Sequence, residues 1–242
     1  MECKRLLTHA LGLWRKRGSD PKVAQVLRLL SDVTQQLGFC KEGIEQVREA
    51  IGINERLGDT TMQAMCLIKL TFMLHQDGQL DPAEEAASRA INLIPEKGHE
   101  FRLCELHRAL GGICRSKGEI EKAISHFKTA LEIATPFNWN SILFWNHTSL
   151  VALFRDNSRL EDAQAHIERA KLYTINSPYT LAYATWMQAV IWYKQKRLEE
   201  ARSEALRAVN AFEKLGAVSD VEVCRELFQN IQKKLDIPVL SG

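Results

Sequence analysis

The sequence predicts an all-α chain of about twelve helices, paired as helical hairpins and stacked into a solenoid. Three observations predict it. A small residue recurs at Cys3, Gly43, Ala83, Ala123, Ala163 and Ala201, and a second recurs at Ala10, Ala50, Ala90, Ala130, Ala170 and Ala208. In both registers the successive differences are 40, 40, 40, 40 and 38, and a fixed period of this size marks a repeat protein. No alternating strand pattern of useful length interrupts it.

Within one copy the two small residues lie seven apart, close to two helical turns, so both fall on one face. Small side chains there let a neighbouring helix come near the lower end of the usual ~8–10 Å spacing. The plainest copy is Gly118–Ala134, GEIEKAISHFKTALEIA, where Phe127, Leu131 and Ile133 add bulky apolar contacts.

Taken in order, residues 1–17 form an amphipathic helix in the register of the second helix of each later unit. The chain thus opens half-way through a repeat, as a piece of something longer or as a short N-terminal cap. Repeat 1 spans 20–58: Asp20 is expected as N-cap with Pro21 at the first helical position, and Gly38 and Gly58 end its two helices. Repeat 2 spans 59–97. There Asp81-Pro82 followed by Glu84 and Glu85 reads as a helix start, and Pro95 marks the exit.

Repeat 3 spans 98–137 and leaves at Pro136. Repeat 4 spans 138–176, with Ser158 in place of the turn glycine. Repeat 5 spans 177–216, opening at Ser177-Pro178 and closing at Gly216. Residues 217–242 comprise a terminal capping helix, with Val221, Val223, Leu227, Ile231 and Leu235 on one face, and a short tail after Pro238 that is expected to be mobile.

These residues resemble the tetratricopeptide repeat (TPR), whose motif sets Leu-Gly, a tyrosine-like place, a turn glycine and two alanines in order. In repeat 3 the matches are Leu110-Gly111, Cys114, Gly118, Ala123, Phe127 and Ala130; in repeat 2 they are Leu70, Leu74, Gly78, Ala83, Ala90 and Pro95. Trp192 stands at the tyrosine-like place of repeat 5. The resemblance covers residues 1–235 and implies a right-handed superhelix of helical hairpins. The motif is usually about 34 residues long, and here it is 40, which implies longer helices or longer turns between repeats. The spacing is similar to that of kinesin light chains, and FCKEGIEQVREAIGINERLGD resembles the C-terminal repeat arms of fungal NACHT-type ATPases.

Composition excludes several function classes. Lysine and arginine total 32 against 30 acidic residues, a net of +2, so nothing global points to nucleic acid or an anionic membrane. No apolar run approaches the roughly 18 residues of a membrane span, and MECKRLLTHALGLW lacks the apolar core of a signal peptide. The six cysteines form no C-x-x-C pair and sit mostly in helical apolar patterns, as reduced thiols of a cytoplasmic protein do.

Chemistry is poorly represented. No phosphate-cradling glycine loop occurs, and the seven histidines make no zinc-ligand spacing, so neither a cofactor nor a metal is expected. His107 and His147 hold the same place in successive repeats, which argues for a shared packing role. Cys104, beside Arg102, His107 and Arg108, is the best catalytic candidate, against the commoner reading of a small buried core residue. Asn146-His147-Thr148 matches a glycosylation acceptor on a helix and is read as incidental.

The resemblance implies that the first helix of each unit lines a concave wall that holds peptides or partner helices. Mapped by register, that wall carries Gln25, Arg28, Asp32 and Gln35; then Met65, Ile68, Phe72 and His75. Glu105, Arg108, Gly112 and Arg115 follow, then Trp145, Thr148, Ala152 and Arg155, and last Tyr183, Trp186, Val190 and Tyr193. The family's clamp for a C-terminal carboxylate needs lysine and asparagine, where this chain has Arg28 and Asp32, Ile68 and Phe72, Arg108 and Gly112. That pattern is not met.

The expected contact residues are therefore Arg28, Asp32, Phe72, Arg108, Arg115, Trp145, Arg155, Tyr183, Trp186 and Tyr193. Arginine there suits carboxylates, and the aromatic group suits a bulky apolar anchor. The expected activity is non-enzymatic capture of a protein or peptide by a monomeric interaction arm of a larger protein. The alternative is a self-association module whose groove its own chain or a second copy fills.

Overall fold

A computed structural model describes residues 2–94, 98–174 and 177–235. They form twelve α-helices, one short 3₁₀ turn at Thr135–Phe137 and no strand. The expected positions Pro95 and Pro238, with the tail, lie outside the described residues. Two compact units divide the chain, Met1–Ile133 and Ala134–Gly242. The first holds α1 (Glu2–Lys16), α2 (Asp20–Gln36), α3 (Cys40–Leu57), α4 (Thr60–Gln76), α5 (Leu80–Leu93), α6 (Glu100–Ser116) and α7 (Ile120–Ala134, whose last residue opens the second unit). The second holds α8 (Asn140–Asp156), α9 (Leu160–Lys171), α10 (Pro178–Lys194), α11 (Leu198–Leu215) and α12 (Val218–Leu235).

The extra length over the usual motif lies in the helices. Glu55–Thr61, where the sequence left room for a longer turn, is the end of α3, a two-residue step and the start of α4. Helix starts therefore recur about every twenty residues, and so does the corner between helices. Gly18, Gly38, Gly58, Gly78, Gly98 and Gly118 all have positive φ, followed by Asn138 and Ser158 at 51° and 58°, then Lys196 at 63° and Gly216 at 68°.

At Gly38 the residue's own N–H bonds the carbonyl of Gln35, and the N–H of Phe39 bonds that of Thr34. The same two bonds recur at Gly18, Gly58, Gly78, Gly118, Ser158, Lys196 and Gly216. This is the Schellman closure, which satisfies the carbonyls a helix end would otherwise orphan.

The corner also decides where the next helix starts. The residue after the left-handed one becomes the N-cap whatever its type, so α2 is capped by Ser19 rather than Asp20, and α5 by Gln79 rather than Asp81. Neither cap makes a side-chain hydrogen bond, and the acids fall in the first turn, where they favour the helix dipole.

A glycine costs little in a left-handed corner, whereas a side chain costs about 1–2 kcal/mol there. Lys196→Gly is therefore expected to stabilise the second unit by about 0.5–1 kcal/mol after the added freedom of the unfolded chain is subtracted. Gly118→Ala should destabilise the first by about 1 kcal/mol. Thermal melts read both, as shifts of roughly 2–4 °C in opposite directions.

The small residues of the repeat are the helix contacts. The alanines of both registers on α3, α5, α7, α9 and α11 are 0% exposed, and Gly43 is buried with them. On α1 the equivalent Cys3 is exposed and Ala10 half-buried. In the first unit one apolar cluster runs from Leu11 to Ile113 and includes Leu27, Val47, Leu67, Met73 and Leu106. In the second, α12 closes two clusters, with Val221 and Cys224 against Phe212, and Ile231 against Ala189 and Ala201. Trp192 packs into the latter, as expected for its place in the motif.

Charges cover the second helices. Their internal ion pairs are spaced i,i+3, as in Arg48–Glu45, Arg202–Glu199 and Arg207–Glu204, whereas the charge runs of these helices left i,i+4 pairing equally open. Either spacing lies along one helix face and contributes a few tenths of a kcal/mol. No helix among the described residues is long and apolar enough to cross a membrane.

Candidate functional site

All ten expected contact residues are half-buried. They lie on α2, α4, α6, α8 and α10, the first helices of the hairpins, and each unit contributes its own share.

In the first unit the face is a cross-linked polar stripe. Asp32 on α2 pairs with Lys69 on α4 at 2.5 Å, and the same ammonium donates to Gln35 Oε1 at 2.7 Å. Gln35 in turn donates to Gln76 Oε1 at 2.6 Å. Lys69 occupies the place mapped to Ile68, which is buried at 6% exposure. One residue of helical phase separates the two, enough to turn an apolar side chain inward and a cation outward.

Across the next helix pair the Arg108 guanidinium sits over the Phe72 ring, 5.4 Å from its centroid, a cation–π contact. Glu105 lies close by. Burial raises its pKa, partly opposed by Arg102 and Arg108, while burial also lowers that of Arg108. His75 shares a 3.1 Å hydrogen bond with Ser116, and a side chain at Gly112 would press on its ring at 3.1 Å. Arg115 is half-buried further along α6, and Arg28 is half-buried on α2 with its Nε enclosed and unpartnered. The stripe is less basic than its arginines suggest, because Asp32 and Glu105 stand among them.

In the second unit the face is aromatic. Trp145 on α8 meets Tyr183 on α10 edge-on, with centroids 5.2 Å apart at 65°, and Tyr183 meets Trp186 at 5.3 Å and 64°. Buried Phe144 backs the row at 5.0 Å from Trp145. These are the offset geometries that aromatic quadrupoles prefer. Tyr183 and Trp186 also rest on the Phe212–Val221 cluster, which fixes their orientation.

Two expected members do not join the row. Tyr193 packs with Leu227 and Phe228 and is covered by the Lys234 ammonium, 4.4 Å from its centroid; the capping helix takes it. Arg155 pairs with its neighbour Asp156 at 2.7 Å. Thr148, mapped to the face, is buried, and half-buried Ser149 stands beside it.

The catalytic candidate Cys104 is a core thiol. Cys104 is fully buried and donates to the Ala130 carbonyl, and burial pushes its pKa up to about 11. Cys66, Cys114 and Cys224 are likewise buried, Cys40 is half-buried and Cys3 exposed. Asn146 is fully buried and donates to the Ile142 carbonyl, so the glycosylation triplet is closed to an enzyme.

Glu84, Cys114 and Glu119 bring three possible ligand atoms within 4.8 Å. Lys117 already pairs with Glu84 at 2.5 Å and Lys122 with Glu119 at 3.0 Å, while burial holds the Cys114 thiol above its usual pKa. Both carboxylates of the cluster are thus already held by ammonium groups, with Lys117 also reaching Asp81.

Sequence reasoning missed two histidine pairs. His107 Nδ1 lies 3.1 Å from His126 Nδ1 on the partner helix of its hairpin, and forty residues on His147 Nδ1 lies 2.9 Å from His166 Nδ1. The forty-residue interval between His126 and His166 was the available signal.

No family model and no curated protein matches the chain in sequence. Solved structures do match in fold. Aspartyl phosphate phosphatase F from Bacillus subtilis superposes with a TM-score of 0.77 at 17% identity, over 93% of this chain and 63% of that one. A Rap protein complexed with competence and sporulation factor gives 0.63 at 15%, over 88% and 64%. A kinesin-light-chain protein of nearly identical TPR-like repeats from Podospora anserina gives 0.65 at 15%, over 80% and 96%. The fold of this chain is that of the TPR-like helical-repeat proteins.

Proposed function

We infer that this chain is a non-enzymatic binding scaffold that holds a protein or peptide segment against the exposed face of its first helices, as the interaction arm of a larger protein in the cytoplasm. The observation that carries the reading is the row Trp145–Tyr183–Trp186. Three large aromatic rings are seated on a packed core, held edge to face and left half-open. Rigid aromatics of this kind lose little freedom on binding and dominate interface energetics. The Rap protein in the comparison was solved with competence and sporulation factor, which supports a bound partner on a fold of this type.

A segment bound on the second unit would offer a bulky apolar side chain to the aromatic row, and one bound on the first unit would offer a carboxylate to Arg108. Arg28, Asp32, Phe72, Arg115 and Arg155 line the same faces as secondary contacts, and Tyr193 has only its uncovered edge to offer.

Selection of displayed random peptides on the whole chain, followed by anisotropy titration, tests this. Trp145→Ala is expected to weaken the selected peptides at least tenfold, and Arg108→Glu to weaken those carrying an acid. Peptides bound equally by wild type and both variants would remove the reading.

A further inference from the structure

The exposed apolar side chains of this molecule are unevenly placed. Of the fourteen large hydrophobics exposed among the described residues, seven lie between Leu172 and Val223. Four of these, Tyr179, Leu181, Leu215 and Val218, gather where the N-termini of α10 and α12 meet the C-terminus of α11, because consecutive helices run antiparallel. Leu181 is 54% exposed and Leu215 42%.

Between α10 and α11 at this end lies a recess of about 410 Å³. Leu181, Ala182, Ala211 and Leu215 make it apolar, and Arg207 and Lys214 stand on its α11 side. No carboxylate lines it. The Arg207 guanidinium pairs with Glu204 and remains two-thirds exposed, and Lys214 has no ion-pair partner among the described residues. Leu181, Ala182 and Thr185 line the recess from α10 while Tyr183 and Trp186 do not, so the recess and the aromatic row use different faces of that helix.

We propose that this recess is a second docking surface, which accepts an acidic amphipathic helix from a partner protein. From Arg207 to Leu215 is eight residue steps, a length of about 12 Å or two helical turns. A bound helix of that length presents two apolar side chains spaced i,i+3 or i,i+4, one toward Leu181 and one toward Ala211 and Leu215. Its flanking residue then meets Lys214, and a carboxylate there gains where a lysine is repelled. An anionic bilayer fits worse: the surface is concave, and two cations fall short of the four to eight that lipid attraction uses. The surface does not depend on the first-helix reading, since none of its residues belongs to that face.

The test is a displayed library of eighteen-residue amphipathic helices with randomised flanks, selected on the whole chain and remeasured as synthetic peptides by anisotropy. Enriched helices should carry two large apolar residues one turn apart with aspartate or glutamate beside them. Leu181→Ser, at an exposed position, should weaken binding at least tenfold, and Lys214→Glu by three- to tenfold. Several results overturn the proposal: no enrichment, flanks without acids, or indifference to Leu181→Ser. So do loss with Trp145→Ala instead, which would assign the peptides to the first-helix face, and preferential binding to phosphatidylserine vesicles. Occupation by a second copy, seen as concentration-dependent sedimentation abolished by Leu181→Ser, overturns it too.

Discussion

Gly111→Ala is expected to destabilise the first unit in the wild-type background and to stabilise it once Phe127 is replaced by alanine. The Phe127 ring lies on the α-carbon of Gly111, and a β-carbon built there would stand 2.6–2.8 Å from three ring atoms. That is closer than carbon atoms pack, and Phe127, 2% exposed, is enclosed on all sides. Overpacking of this kind costs about 1–3 kcal/mol. Alanine in a helix interior recovers about 1 kcal/mol over glycine, so the net loss should be about 0–2 kcal/mol, toward the upper end because the clash falls on an enclosed ring.

Phe127→Ala alone should cost about 3–5 kcal/mol, through lost burial and the cavity left behind. In that cavity the methyl group that Gly111→Ala adds meets no ring, and only the helix-propensity gain and some added contact remain. The sign of Gly111→Ala therefore reverses between the two backgrounds. Urea unfolding of the four proteins followed by circular dichroism measures it. Additive effects within about 0.5 kcal/mol would show that ring and glycine are not coupled.

The second large effect is loss of stability in mild acid. His147 is 5% exposed, its Nδ1 is 2.9 Å from His166 Nδ1, and its ring stacks on Tyr173. One hydrogen serves the two facing nitrogens; protonating both rings would set two N–H groups head to head. Burial first, then the His166 and Arg169 charges, lower the His147 pKa from 6.5 to about 4. On the other side His166 stacks on Phe154, over which Arg159 sits. Every influence on His147, burial and its two cationic neighbours, disfavours its charged form.

A folded pKa below the unfolded one means that the unfolded chain takes up the proton first. The stability due to neutral His147 is complete above about pH 6.5 and falls away as pH drops toward 4. It declines by about 1.4 kcal/mol per pH unit, to a total of about 3 kcal/mol. His107 and His126 carry the same sign: burial lowers both, with Glu84 opposing the shift at His126. Unfolding free energies at pH 7, 6, 5 and 4.5 should show the decline. His147→Gln should be weaker than wild type at pH 7 yet flatter with pH, and an unchanged slope would mean that His147 does not set it.

The hairpins were legible because repetition multiplies a weak signal. A single Ala at a helix contact says little, and six at one interval fix the helices and their contact faces together. Corners were legible where glycine held them and, by register alone, at Ser158. Asn138, Ser158 and Lys196 adopt the same left-handed turn because the helices on both sides impose it, and a lysine carries no mark of that. The α2 cap slipped by one residue, from Asp20 to Ser19, for the same reason: the corner decides where the helix begins.

On the first helices, register located the half-buried stripe, but a one-residue phase error replaced Lys69 by Ile68. Charge pairing such as Asp32 with Lys69 joins residues a whole helix apart and has no local signature. Tyr193 is drawn away from the aromatic row by the capping helix, whose placement is tertiary and leaves no mark in the residues around the tyrosine.

One corner, closed by the same pair of backbone bonds at eight helix ends, makes chain length a quantised property of this molecule. Duplicating or deleting forty residues returns the polypeptide to the same turn with the same hand. A gene of this kind can therefore grow or shrink by whole modules, each new copy arriving with its contact alanines already in phase; the 38-residue last step shows that the link between hairpins tolerates a change that the inside of a helix would not.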